Sequence, residues 1–138
     1  MPGLYTFAKQ ERLCSLKLIK QVFDEGKKSY FFPFRLVYLL AERDAKTPAR
    51  IVISVPKKLF KQAVTRNLLK RRIREAYRKS KPDFYSKLPP LYTVNILLIY
   101  VSPNIAPYAE IESKLAQAVG ILAKRIEKDI NLSVCTTN

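Results

Sequence analysis

The sequence predicts an α/β domain, and three observations lead there. Apolar residues alternate with a period of two in the stretches 34–40 and 50–55 and run almost unbroken from Tyr92 to Val101, the patterns of half-buried and fully buried strands. Around them, residues 15–26, 63–79 and 111–129 repeat apolar side chains at the spacing of amphipathic helices. The length of 138 residues, 48% of them hydrophobic, leaves room for one domain with its own core and no need of disulfide or metal staples. We therefore read residues 1–138 as a single domain whose last residues, about eight, fray.

Each element has its own signal. The opening residues to Cys14 show no clear periodicity. Ser15 then caps a helix whose Leu16, Ile19, Val22 and Phe23 fall on one side before Gly26 closes it. Residues 28–40 are aromatic and β-branched, interrupted by Pro33, and read as a strand or a bulged strand pair in which Phe34, Leu36, Tyr38 and Leu40 share one face. Glu42 to Pro48 reads as a turn, and Arg50 to Val55 as a strand forming a hairpin with the one before it. Pro56 ends that strand, and from Ala63 to Lys79 neither Pro nor Gly interrupts a helix with Leu69, Ile73 and Ala76 on its inner face. Residues 80–91, with three prolines, read as a loop. Tyr92 to Val101 is apolar enough to sit centrally in the sheet, and Ile111, Leu115, Ala118, Leu122 and Ile126 mark a last helix despite Gly120.

Charge narrows the function. The chain carries 26 Lys and Arg against 11 Asp and Glu, a net charge of +15, and such a surplus calls for a polyanionic partner. No apolar run reaches the length of a membrane span, and no hydrophobic signal core opens the chain, so the expected setting is the cytoplasm and no membrane is expected as a partner. Cys14 and Cys135 stand apart, as ordinary thiols. The absence of His removes the commonest general base and metal ligand. The acid pairs Asp24-Glu25, Glu42-Asp44, Glu110-Glu112 and Glu127-Asp129 lie near element ends, where carboxylates serve helix dipoles and solubility. We assign no catalytic residue and no metal ligand.

The charge surplus is concentrated between Lys57 and Lys81, which hold 11 cations and one acid, Glu75. On the helical wheel Asn67, Lys70, Arg71, Arg74 and Arg78 lie opposite the inner face, forming a stripe that can follow the phosphates of a nucleic acid. A solvated helix face is the bland reading, but such faces are usually laced with acids. A membrane-surface helix would want Trp or Phe anchors on the apolar side, and there are none. A second constellation, Tyr30, Phe31, Phe32, Phe34 and Tyr38, supplies core residues and rings on which single-stranded bases can stack.

Lys57-Lys58 followed by RNLLKRRIREAYR from Arg66 resembles the signature of the bacterial ribonuclease P protein family. The likeness extends to KQERL from Lys9, the Phe23 to Gly26 end of the first helix, the RIVISVPKK strand exit, and the apolar strand and helix that follow. One position departs: Leu68 stands where the family pattern has a second arginine. The resemblance implies an α/β sandwich of order αβββαβα with a left-handed βαβ crossover, against the general right-handed rule. It implies an RNA-binding subunit of an endoribonuclease that removes the 5′ leader from precursor tRNA, with catalysis and Mg²⁺ carried mainly by the RNA component. No organic cofactor and no obligate protein partner follow from it. The catalytic RNA would meet Lys57, Lys58, Arg66, Asn67, Lys70, Arg71, Arg72, Arg74 and Arg78. Precursor tRNA would lay its leader between the first helix and the sheet, along Phe23, Phe34, Leu36 and Tyr38, with Arg50 and Lys58 nearby and Ile19 where an earlier aromatic is expected. The competing class is a structural, ribosomal-type RNA-binding protein, which would not restore leader cleavage to a matched catalytic RNA.

Overall fold

A computed structural model describes residues 15–42, 48–88 and 91–136. The KQERL stretch, Cys14 and the centre of the turn at 43–47 lie outside the described residues. The elements are α1 (Leu16–Glu25), β1 (Lys27–Phe31), β2 (Phe34–Glu42), β3 (Ala49–Ser54), α2 (Ala63–Ser86), β4 (Tyr92–Tyr100) and α3 (Tyr108–Thr136), the order αβββαβα. They build one four-stranded sheet, β1-β2-β4-β3.

β4 takes the centre because its side chains are apolar on both faces, and only a strand covered on both sides can bury them. It pairs antiparallel with β2 and parallel with β3, with α2 as the crossover. This corrects the expected hairpin between β2 and β3: those strands are not neighbours, since β4 lies between them. The hairpin instead joins β1 to β2 through Phe32 and Pro33, whose peptide bond is cis.

Two cores follow from the alternation. On one face α2 supplies Leu69, Ile73, Ala76 and Tyr77, and α3 supplies Ile111, Leu115, Ala118, Leu122 and Ile126, against Phe34, Leu36, Tyr38, Ile51, Ile96, Leu98 and Tyr100. On the other face α1 packs Leu18, Ile19 and Val22 on Val37, Leu39, Val52, Leu97 and Ile99. The molecule thus has three layers, with the larger core beneath α2 and α3.

The Ser15 cap is present, its Oγ accepting from the Leu18 amide at 3.3 Å. Gly26 ends α1, but with extended backbone (φ −71°); it is small because a Cβ there would lie 2.4 Å from the Val22 carbonyl oxygen and 2.8 Å from Val37. The loop expected at 80–91 is also corrected, since α2 continues to Ser86 with Pro82 inside it. Pro82 forfeits one backbone hydrogen bond, yet buried Phe84 docks edge-on to Tyr77, ring centres 6.5 Å apart, and anchors the last turns. α3 likewise begins at Tyr108 and runs beyond Asp129.

Candidate nucleic-acid interface

α2 is held rigid by its inner face, with Leu69, Ile73 and Ala76 fully buried, so its outer side chains stand at fixed spacing. Asn67, Arg71 and Arg74 are exposed on that outer face, and Arg78 continues the row half-buried. Within the row Arg78 is paired with Glu75, Nε donating to Oε2 at 3.0 Å, and that contact holds the Glu75 carboxyl below its ordinary range. Arg74 Nε donates to the Lys70 carbonyl one turn back at 3.3 Å, which lays its guanidinium along the helix. Lys57 and Lys58 are exposed in the connection from β3.

Two of the expected contact arginines also brace the fold. Arg66 donates through one terminal nitrogen to the carbonyls of Phe60 and Lys61 at 2.9 and 2.8 Å, fastening the connection onto the first turn of α2. Arg72 donates to the Ala106 carbonyl at 2.7 Å, tying α2 to the segment before α3. Leu68 and Lys70 are half-buried on the flanks. One side chain escaped the sequence reading: Val64, 80% exposed, falls on the cationic side of the wheel, and the helical spacing carries the signal for it.

The leader cleft requires correction. Phe34 and Leu36 are fully buried and Tyr38 is 4% exposed, all three on the face covered by α2 and α3. α1 packs on the opposite face, so these residues line no groove beside it. The expectation chose the more aromatic of the two alternating sets, and aromatic bulk went to the larger core. Tyr38 is a clasp within that core, its hydroxyl donating to Oδ2 of Asp129 at 2.8 Å. Burial and that carboxylate push the Tyr38 hydroxyl up to about 12. Lys27 Nζ sits 2.9 Å from the other oxygen of Asp129, and although burial alone would raise that carboxyl, the hydrogen bonds from Lys27 and Tyr38 hold it below its ordinary range.

Phe23 and Arg50 do lie on the α1 side, but apart. The Phe23 ring stands beside Lys28 of β1, whereas Arg50 rises from β3 at the opposite edge of the sheet. The residues that share the α1 side with Arg50 are half-buried Leu39, Val52, Ser54 and Ile99, together with buried Asn95, whose Oδ1 has no hydrogen-bond partner among the described residues. Among those residues no cluster of three or more Cys, Asp or Glu side chains could hold a metal ion, and no helix is long and apolar enough to cross a membrane.

A mixed sheet with a cationic crossover helix and its partner on one face, and one short helix on the other, defines a small basic α/β sandwich. The family model described as Ribonuclease P matches residues 7–123, and the chain belongs to that family. It is 34% identical over 122 residues to the ribonuclease P protein component of Dictyoglomus turgidum, covering 88% of this chain and 99% of that one. It is 41% identical over 80 residues to that of Porphyromonas gingivalis, where the match spans 58% of each chain. Among solved structures, the fold is similar to a Staphylococcus aureus RNase P protein mutant (TM-score 0.66, 24% identity, 83% of this chain and 89% of that one) and to the Thermotoga maritima RNase P protein (TM-score 0.61, 24% identity, 79% and 94%).

Proposed function

We propose that this chain is the RNA-binding protein subunit of ribonuclease P, supporting removal of the 5′ leader from precursor tRNA by a catalytic RNA. The observation that carries the reading is the outer row of α2, where Asn67, Arg71, Arg74 and Arg78 project from a buried, rigid scaffold and Glu75 is the one acid between Lys57 and Lys81. Guanidinium groups on adjacent turns follow a phosphate backbone, and Asn67 adds a group able to donate and accept. Lys57, Lys58, Lys70, Arg66 and Arg72 extend the same surface, with Arg66 and Arg72 also holding the adjoining loops in place.

The leader is assigned to the α1 side of the sheet toward β3, where Arg50, Val52, Ser54 and Asn95 replace Phe34, Leu36 and Tyr38 as the lining. Chemistry belongs to the RNA. Phosphodiester hydrolysis in this family is generally Mg²⁺-dependent, RNA phosphates can hold such an ion, and the acids among the described residues form no cluster of three or more that could compete for it. The protein's part is to bind, neutralise and position, and with RNA as its partner the chain works in the cytoplasm.

Filter binding of ribonuclease P RNA across a salt series tests this reading. Log K should fall linearly with log salt, by about 0.7 to 0.9 for each phosphate contact. Affinity that is indifferent to salt would contradict it.

A further inference from the structure

The cationic row of α2 has an apolar neighbour with no role so far. Val64, Leu68 and Arg72 follow one another at intervals of four, so they form a line along the helix beside Asn67 and Arg71. Val64 is 80% exposed and Leu68 is half-buried, while the inner face of the helix is filled by Leu69, Ile73 and Ala76. Leu68 is also the residue that departs from the signature pattern. Ile105, 49% exposed, comes to the same part of α2 because the Arg72 guanidinium donates to the carbonyl of the next residue, Ala106, at 2.7 Å.

This apolar strip is braced at both ends. The Tyr100 hydroxyl donates to the Asn104 carbonyl and accepts from the Ala106 amide at 3.1 Å, which fixes the segment carrying Ile105. Arg66 fastens the loop before α2 through the carbonyls of Phe60 and Lys61. Two turns beyond Leu68, Glu75 is taken up by Arg78, so the line ends on a neutralised pair. An apolar strip with exposed cations alongside matches a nucleotide, which carries an anionic phosphate and an apolar base face. In a paired stretch those faces are stacked away, so the strip calls for an unpaired base. An apolar protein face laid here would instead take Asn67 and Arg71 out of water without partners.

We propose that Val64 and Leu68, with Ile105 at the margin, form a ledge on which bound RNA seats one unpaired base, so that the protein selects RNA carrying an unpaired nucleotide beside the α2 row. The proposal rests on the reading of α2 as an RNA-binding row and adds selectivity to an attraction for phosphate. Phosphate contacts set the register of an RNA without reading it, whereas a base contact distinguishes one RNA from another.

Anisotropy of a labelled RNA duplex with one bulged uridine, measured on the full chain beside the same duplex fully paired, tests it. The wild-type chain should bind the bulged RNA about 3- to 10-fold more tightly. Val64→Ser should shrink that preference toward one without moving the melting temperature, because the side chain is largely exposed. Leu68→Arg should abolish the preference and steepen the salt dependence by about 0.7 to 0.9, as a phosphate contact takes the place of a base contact. Equal affinity of the wild-type chain for both RNAs, or a preference that survives either substitution, would overturn the ledge while leaving the α2 row standing. A wild-type chain that binds neither RNA would overturn the RNA-binding reading itself.

Discussion

Arginines of α2 that look alike in the sequence divide by what they touch. Arg71 and Arg74 are exposed, while Arg66 spends its donors on the carbonyls of Phe60 and Lys61. Arg71→Ala and Arg74→Ala should therefore each lower the salt slope of RNA binding by about 0.7 to 0.9 with little change in stability. Arg66→Ala should weaken binding and also destabilise the fold by about 1 to 3 kcal/mol, because two loop carbonyls lose a charged donor. Denaturant titration beside the binding curve separates the two classes. Tyr38 gives a pH signature. Its folded hydroxyl titrates near 12, above the ordinary value of 10.0, so the folded state keeps a proton that the unfolded chain loses. That stability is fully present below about pH 10 and drains away as pH rises toward 12. Tyr38→Phe should cost about 1 kcal/mol at neutral pH and flatten the decline between pH 10 and 12, measured by urea midpoints. At the acid end the lowered Asp129 carboxyl works oppositely, its stabilisation present above the ordinary carboxylate range and lost as pH falls through it.

At the scale of elements, the two described glycines behave as opposites. Gly26→Ala must push a Cβ against the Val22 carbonyl and the Val37 side chain, and should loosen the α1–β1 joint by about 1 to 3 kcal/mol. Gly120→Ala in α3 meets nothing within 4 Å and should stabilise the helix by about 1 kcal/mol. Thermal melts of both variants check the pair. The helices and the central strand were legible in the sequence because periodicity and apolar continuity are local properties. Strand pairing was not, since a β2–β3 hairpin and the observed order use the same alternation, and only the need to cover β4 on both faces decides between them. The leader face failed for a related reason: β2 is apolar on both of its faces, and nothing local says which of Leu36–Tyr38 or Val37–Leu39 meets α1. Pro82 misled because a buried aromatic two residues on, Phe84, outweighs one missing backbone hydrogen bond.

For the whole molecule, the sheet separates two unlike surfaces. The cationic row rides on α2 above the larger core, while α1 covers a smaller one and leaves sheet open at both margins. The α2 row was readable from spacing alone, because helical geometry fixes which side chains point outward once the apolar face is known. The measurement that reaches the central claim most directly is cleavage of precursor tRNA by a matched ribonuclease P RNA at low Mg²⁺, with and without this chain. Adding the chain should restore release of the 5′ leader, the Arg71→Ala/Arg74→Ala double variant should restore it poorly, and the chain alone should cut nothing. Leader release by the chain without RNA, or no stimulation of the RNA by a folded chain, would contradict the account.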